Sequence, residues 1–326
     1  MNINTLARVA PHGIRALRSI RQGEPIAMSF DIADFCTLEC PYCFWLESTQ
    51  HKQLGLEKIV EVTRQAVGDG VVHATWVGGE PTLRPDVLDA VAEVVPINWV
   101  VTNGMLVKKS MAGGGYENWD VEDLPRNMWV ILSLDGVGEY HDRSRAHSGL
   151  YEELAARFYK THRSKRTLTT TTLHTGNADQ SAKLLEQWRD ADILGMTFEF
   201  ATPIGRAANP QLDLIGDARN KVIDDLIRLK KKYGGFMKNS VWGFEMQRPE
   251  NLASWVGEKN CPTAKFSISF DSLGRRKRPC VLGSNAENPL GKKPNCSACG
   301  CHVPTVLEGV RRLDRQTLQS AFWFLN

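Results

Sequence analysis

The sequence has no apolar run approaching the ~18 residues a membrane-spanning helix needs, which excludes a spanning helix. Its first residues lack the apolar stretch and small-residue cleavage site of a secretory signal, so a cytoplasmic location is expected. An excess of one charge is missing too. The 40 Lys and Arg stand against 37 Asp and Glu, and +3 is too mild to argue for a nucleic-acid partner. No repeat or low-complexity tract shows. Cysteine is absent from the whole stretch between Cys43 and Cys261. The eight thiols fall instead into an early group and a late one. In a reducing compartment such grouping points to metal ligands or redox groups before disulfides.

What is present is enough for a packed core. The 326 residues are 42% hydrophobic and 24% charged, which suits one large domain with or without a small extension. Six short β-rich runs, at 26–32, 72–77, 99–102, 129–134, 168–173 and 197–201, are nearly continuous in apolar and Thr residues. Helical patterns lie between and after them, at 56–67, 85–94, 150–162, 178–191 and 217–232, whereas 107–125 reads as loop. In 217–232, Ala218, Val222, Leu226 and Leu229 share one helical face. Pro85 suits a first helical turn. This alternation predicts an α/β fold with a parallel sheet or barrel, whose site lies at the C-terminal ends of the strands.

The pattern changes near residue 236. Residues 266–270 alternate with period two, Asp271-Ser272-Leu273-Gly274 is a turn signal, and a basic run leads to Leu282. That is a hairpin, with Cys261 before one arm and Cys280 in the other. The expected division is 1–25, 26–235 and 236–326. In the first segment, Ile14, Leu17 and Ile20 alternate with Arg8, Arg15, Arg18 and Arg21. This reads as a short helix packed on the core, or as one lying on an anionic membrane surface.

Two motifs carry chemistry. Cys36-x3-Cys40-x2-Cys43 follows the first strand, with Tyr42 before its third thiol. Three thiolates can hold three irons of a four-iron cluster and leave the fourth iron open. Gly78-Gly79-Glu80-Pro81 follows the second strand. Its glycines admit a ligand close to the backbone, and Glu80 can accept from an ammonium group. Together these resemble the radical SAM (S-adenosylmethionine) superfamily, which implies a partial (β/α)6 TIM-like barrel. It also implies a 4Fe–4S cluster on Cys36, Cys40 and Cys43, with SAM bound through its amine by Gly78, Gly79, Glu80 and Pro81. Thr102-Asn103-Gly104, Ser133-Leu134-Asp135-Gly136, His141-Asp142-x2-Arg145-x3-Gly149 and Pro203-x-Gly205-Arg206-Ala207 resemble further motifs of such enzymes. Ser133 would reach the ribose, Arg145 the SAM carboxylate, and Asn103 would line the same site.

The late group, Cys261, Cys280, Cys296 and Cys299, resembles a twitch-type (shortened SPASM) domain and implies a second 4Fe–4S cluster. Cys301 and His302 keep a structural zinc site open as the alternative. The basic run Arg275–Arg278 reads as a solvated face, or as charge near a cluster or an anionic substrate. The layout also resembles the adenosyl hopene transferases, through Pro294-Asn295-Cys296-Ser297-Ala298-Cys299. A radical enzyme acting on an unactivated carbon of an isoprenoid or lipid-like substrate is therefore expected. Such a substrate would sit in an apolar funnel lined by Phe200, Phe236, Trp242, Phe244 and Trp255. A peptide-modifying maturase is the alternative, and a non-catalytic metal scaffold that binds nucleic acid the second. A flavodoxin or ferredoxin would supply electrons.

Overall fold

The structure, a computed structural model, describes residues 18–19, 22–47, 52–109, 116–118, 120–159, 166–257, 259–283 and 295–321. The helix expected over the basic N-terminal segment lies almost wholly outside them. The strands are β1 (Ala27–Ala33), β2 (His73–Gly78), β3 (Ile97–Thr102), β4 (Val107–Lys109), β5 (Tyr116–Asn118), β6 (Met128–Ser133), β7 (Thr167–Leu173), β8 (Gly195–Phe200), β9 (Ser267–Phe270) and β10 (Arg276–Lys277). The six strands read from sequence are all present, displaced by one or two residues. Between them run α1 (Leu56–Gly68), α2 (Pro85–Ala92), α3 (Glu139–Arg145), α4 (Leu150–Leu154), α5 (Ser181–Trp188) and α6 (Gly216–Tyr233). Shorter helices follow: α7 (Val241–Met246), α8 (Pro249–Trp255), α9 (Pro262–Phe266), α10 (Val303–Arg311) and α11 (Arg315–Ala321). Pro85 opens α2 as expected.

Some segments differ from the sequence reading. The expected loop over 107–125 contains β4 and β5, an antiparallel pair with Val107 opposite Asn118. Three residues a side are too few to leave a periodic signal. The helix expected over 150–162 is α for one turn and then widens into a π-turn over Ala155–Tyr159. The one over 178–191 starts as a 3-10 turn and ends at Trp188.

The chain forms two compact units that interleave in sequence. The first comprises residues 1–37, 48–132 and 264–291. Its strand order is β10-β9-β1-β2-β3-β6, parallel except for the antiparallel pair β9/β10. β1 is buried along nearly its whole length, with Met28, Phe30 and Ile32 at 1% exposure or less, as a strand covered on both faces must be. The expected hairpin is real, but its first arm pairs in parallel with β1, Ala27 opposite Ser267, so it extends this sheet. The basic run is not one solvated face. Lys277 is buried, and its Nζ lies 2.6 Å from Asp31 Oδ2 on β1. Arg275 pairs with Asp271, and Arg276 and Arg278 are exposed. Burial pushes the Asp31 carboxyl up, and Lys277 opposes it.

The second unit comprises residues 38–47, 133–263 and 292–326. Its parallel pair β7/β8 sets Thr170 opposite Thr197 and Thr172 opposite Glu199. The buried face of α6 is Arg219, Ile223, Leu226, Ile227 and Lys230, so the stripe expected through Ala218, Val222 and Leu229 is rotated. Two basic residues sit on the apolar face because backbone carbonyls take their protons: Lys230 Nζ donates to Met237 O at 2.5 Å, and Arg219 to the tail. Only Leu226 was common to both stripes.

The Asp31–Lys277 pair yields a prediction. Lys277→Met leaves a buried carboxyl without its partner and should cost about 3–5 kcal/mol, read as a lower denaturant midpoint. Asp31→Leu combined with Lys277→Met should recover most of that loss. Equal midpoints for Lys277→Met and wild type would contradict the pair's role.

Candidate active site

In the first unit, β1 ends at Ala33 and the chain turns at Asp34. The Asp34 carboxylate accepts from Lys52 N at 2.7 Å, and its N–H donates to Gln53 Oε1 at 2.9 Å. The half-buried Cys36 follows. The Gly78-Gly79-Glu80 turn fastens to this segment. Gly79 N donates to Ala33 O at 2.9 Å and Glu80 N to Phe35 O at 2.7 Å. Gly78 has φ +128°, and a Cβ there would stand 2.4 Å from Ala33 O. Only glycine allows that approach.

Glu80 is 1% exposed. Its Oε1 accepts from Thr82 N (3.1 Å), Thr82 Oγ1 (2.6 Å) and Thr102 Oγ1 (2.8 Å), and its Oε2 from Asn103 N (2.9 Å). Burial pushes the carboxyl up, and these bonds counter it. Asn103 Nδ2 donates to Thr37 Oγ1 at 2.9 Å, which ties the end of β3 to the cysteine loop. Glu80 is therefore first a fastener of β2 and β3. Its Oε2, with one donor, still has a lone pair for an ammonium group.

In the second unit, Cys43 N donates to Cys40 O at 3.0 Å and closes a turn. Cys40 is buried, its thiol pushed up by burial and opposed by Arg145, and its Sγ lies 3.9 Å from Arg145 O. Asp135, fully buried, is the hub. It accepts a hydrogen bond from the Tyr42 hydroxyl and forms an ion pair with Arg145 Nε at 2.8 Å, both on Oδ2, and accepts from Thr172 N on Oδ1 at 3.1 Å. Burial acts to raise its carboxyl, but the charges of Arg145 and His141 with the hydrogen bonds from Tyr42 and Thr172 together hold it below the usual range. Burial lifts the Tyr42 hydroxyl well above its ordinary value. Arg145 also lies over the Tyr42 ring, and His174 packs beside that ring at 5.5 Å. The guanidinium also hydrogen-bonds the Cys40 side chain, and its further N–H donors are of the kind that bind a carboxylate. Ser133 is buried at the end of β6, and Gly205–Ala207 form the turn after β8.

The late cysteines divide between the units: Cys280 lies in the first, and Cys261, Cys296, Cys299 and Cys301 in the second. There the tail is pinned to β8. Phe200 N donates to Gly300 O at 3.0 Å and Gly300 N to Thr202 Oγ1 at 2.9 Å. Gln247 Nε2 donates to Gly300 O and Cys301 O, and the buried Arg219 Nη2 to Cys299 O at 2.7 Å. Among the described residues no three Cys, His, Asp or Glu side chains already converge as metal ligands. The eight cysteines are all thiols. The fit to a cluster with SAM rests on donor chemistry: three thiols on one loop, the open lone pair of Glu80 and the Arg145 Nη donors.

The expected funnel aromatics are partly core. Phe244 is fully buried, and Arg219 covers the Phe200 ring at 4.3 Å. Trp242 and Trp255 face each other, ring centres 6.4 Å apart, and Phe236 is half-buried. Sequence reasoning quoted Asp135 within a motif but gave it no role. The signal was a lone carboxylate ten residues before a basic partner. Thr102 was quoted within a motif but given no role, and Thr82 and His174 carried no signal beyond their place near strand ends.

The structure is thus an α/β fold with mostly parallel strands that bears thiols and a buried carboxylate at strand ends. Residues 31–188 match the Radical SAM superfamily, and the chain carries a domain of that superfamily, which implies a 4Fe–4S cluster and SAM. The sporulation killing factor maturation protein SkfB of Bacillus subtilis (strain 168) is 23% identical over 228 residues, 68% of this chain and 53% of that protein. The PqqA peptide cyclase of Streptomyces rochei is 30% identical over 172 residues, 50% of this chain and 45% of that protein. The chain thus spans about half the length of these relatives. The fold resembles that of Streptococcus suis SuiB bound to precursor peptide SuiA, with TM-score 0.61 and 17% identity, over 87% of this chain and 67% of that one. The tail's resemblance to adenosyl hopene transferases gains no support from these relatives.

Gly300 gives a test of the pinned tail. A Cβ there would stand 1.7 Å from Phe200 O, so Gly300→Ala forces the tail off β8. The expected loss is roughly 1–3 kcal/mol in denaturant unfolding. Gly235→Ala, with open space around it and no positive φ, should change the midpoint little. Matching midpoints for the two variants would contradict the close approach.

Proposed function

We propose that this chain is a radical SAM enzyme that modifies a peptide. The observation that carries the reading is the thiol loop at the C-terminal end of β1, with the Gly78-Gly79-Glu80 turn hydrogen-bonded to it. Cys36, Cys40 and Cys43 would hold three irons and leave one for SAM. When bound, the cluster and SAM supply one-electron cleavage of a sulfonium bond and hydrogen-atom removal from an unactivated carbon. Glu80 Oε2 would accept from the SAM amine, and the Arg145 Nη donors would face its carboxylate. Asp135 holds Arg145 and Tyr42 in place for that task.

The peptide class is favoured over the isoprenoid class on two grounds. SkfB is named for maturation of a killing factor and the PqqA cyclase for a peptide, while SuiB was solved with a precursor peptide. Phe200 and Phe244, expected to line a lipid funnel, are core residues. A flavodoxin or ferredoxin in a reducing cytoplasm would supply electrons. The late cysteines Cys261, Cys280, Cys296 and Cys299 would hold a second 4Fe–4S cluster. Structural zinc, with Cys301 or His302 as a ligand, is the competing occupant.

Anaerobically reconstituted, reduced protein is expected to convert SAM to 5′-deoxyadenosine, and Cys40→Ala to fall to background. Arg145→Gln should raise the KM for SAM roughly tenfold or more, the worth of one charged hydrogen bond. Undiminished 5′-deoxyadenosine from Cys40→Ala would overturn the reading.

A further inference from the structure

The β7/β8 pair has two unlike faces. Phe198, Phe200 and Leu173 share one, all buried, and Arg219 of α6 covers it. Register places Thr170 beside Thr197 and Thr172 beside Glu199 on the other, because paired positions share a face. From Thr170 to the strand ends that face is polar, and several of its groups are unspent. Thr170 is 8% exposed, yet its Oγ1 has no hydrogen-bond partner among the described residues. A buried hydroxyl in that state needs an explanation. Thr172 gives its backbone N–H to Asp135, and its hydroxyl has no hydrogen-bond partner among the described residues. Glu199 is partly exposed, its side chain at 26%. Its Oε2 meets His302 Nδ1 at 3.2 Å, and Oε1 has no hydrogen-bond partner among the described residues.

This arrangement is held firmly. Gly300 is locked against Phe200 and Thr202, two residues before His302, and Gln247 grips the carbonyls on either side of Cys301 N. The tail therefore delivers His302 to Glu199. Thr172 is also bonded to Asp135, which holds Tyr42 of the cysteine loop, so the polar face adjoins that loop within the second unit.

We propose that Glu199, oriented by His302 and flanked by the Thr172 and Thr170 hydroxyls, binds a cationic side chain, Lys or Arg, of a peptide substrate. The inference rests on the peptide reading above and adds a charge requirement to it. An ammonium group has three donors, and Glu199 Oε1 with the two hydroxyls offers three acceptors. Half-burial keeps such a pair stronger than one in open water.

Wild type, Glu199→Gln and Glu199→Lys, each reconstituted anaerobically with SAM present, are panned against a displayed library of random twelve-residue peptides. Wild type should enrich Lys or Arg at one position roughly tenfold over the library. Glu199→Gln should lose that enrichment. Glu199→Lys should select Asp or Glu instead, a gain that a misfolded protein cannot produce. The same Lys or Arg enrichment in all three proteins overturns the subsite, as does selection by wild type of peptides without basic residues. Failure of wild type to select any peptide overturns the peptide reading, and the subsite with it.

Discussion

A carboxylate buried beyond reach of water must find its donors inside the protein, and each unit is organised around one. In the first unit Glu80 gathers Thr82, Thr102 and Asn103, so the ends of β2 and β3 are set by one side chain. In the second Asp135 gathers Tyr42, Arg145 and Thr172, which come from the cysteine loop, α3 and β7. An unpaired buried charge would cost several kcal/mol, so neither set can loosen one partner without straining the rest. The consequence is pre-organisation. The Glu80 and Arg145 side chains are held in place by their buried partners within their own units.

The same constraint explains why two basic residues lie on the buried face of α6. Arg219 and Lys230 are tolerated there because carbonyls at Cys299 and Met237 accept from them. Burial still depresses both, Arg219 to about 10 and Lys230 to about 8. The fold uses this cost. Arg219 joins α6, the Phe200 ring and the cysteine tail into one packed set. The tail then has a fixed path along β8, with Gly300 at the one point where no side chain fits.

Local signals were legible in the sequence and long-range ones were not. Alternation of β-rich and helical runs places six strands within two residues, because buried parallel strands are apolar throughout. The thiol spacing and the Gly78-Gly79-Glu80-Pro81 turn point to the superfamily, since their chemistry is written in contiguous residues. The pairing of β9 with β1 was not legible, because it joins residues some 240 positions apart. Nor was the Glu199–His302 contact, across 103 positions. The aromatic residues at 200 and 244 misled for a simpler reason: composition cannot tell a core ring from a ring lining a cavity. Substrate class was not legible at all, and the peptide reading comes from the relatives and from where these rings pack.

The central claim is that Cys36, Cys40 and Cys43 hold a cluster whose open iron takes SAM. Electron paramagnetic resonance of the reduced, reconstituted protein with and without SAM tests it most directly. The account predicts a reduced-cluster signal whose g-values shift when SAM is added, and its absence from the variant with all three cysteines changed to Ala. A signal indifferent to SAM, or a SAM-sensitive signal that survives loss of the three thiols, would contradict it.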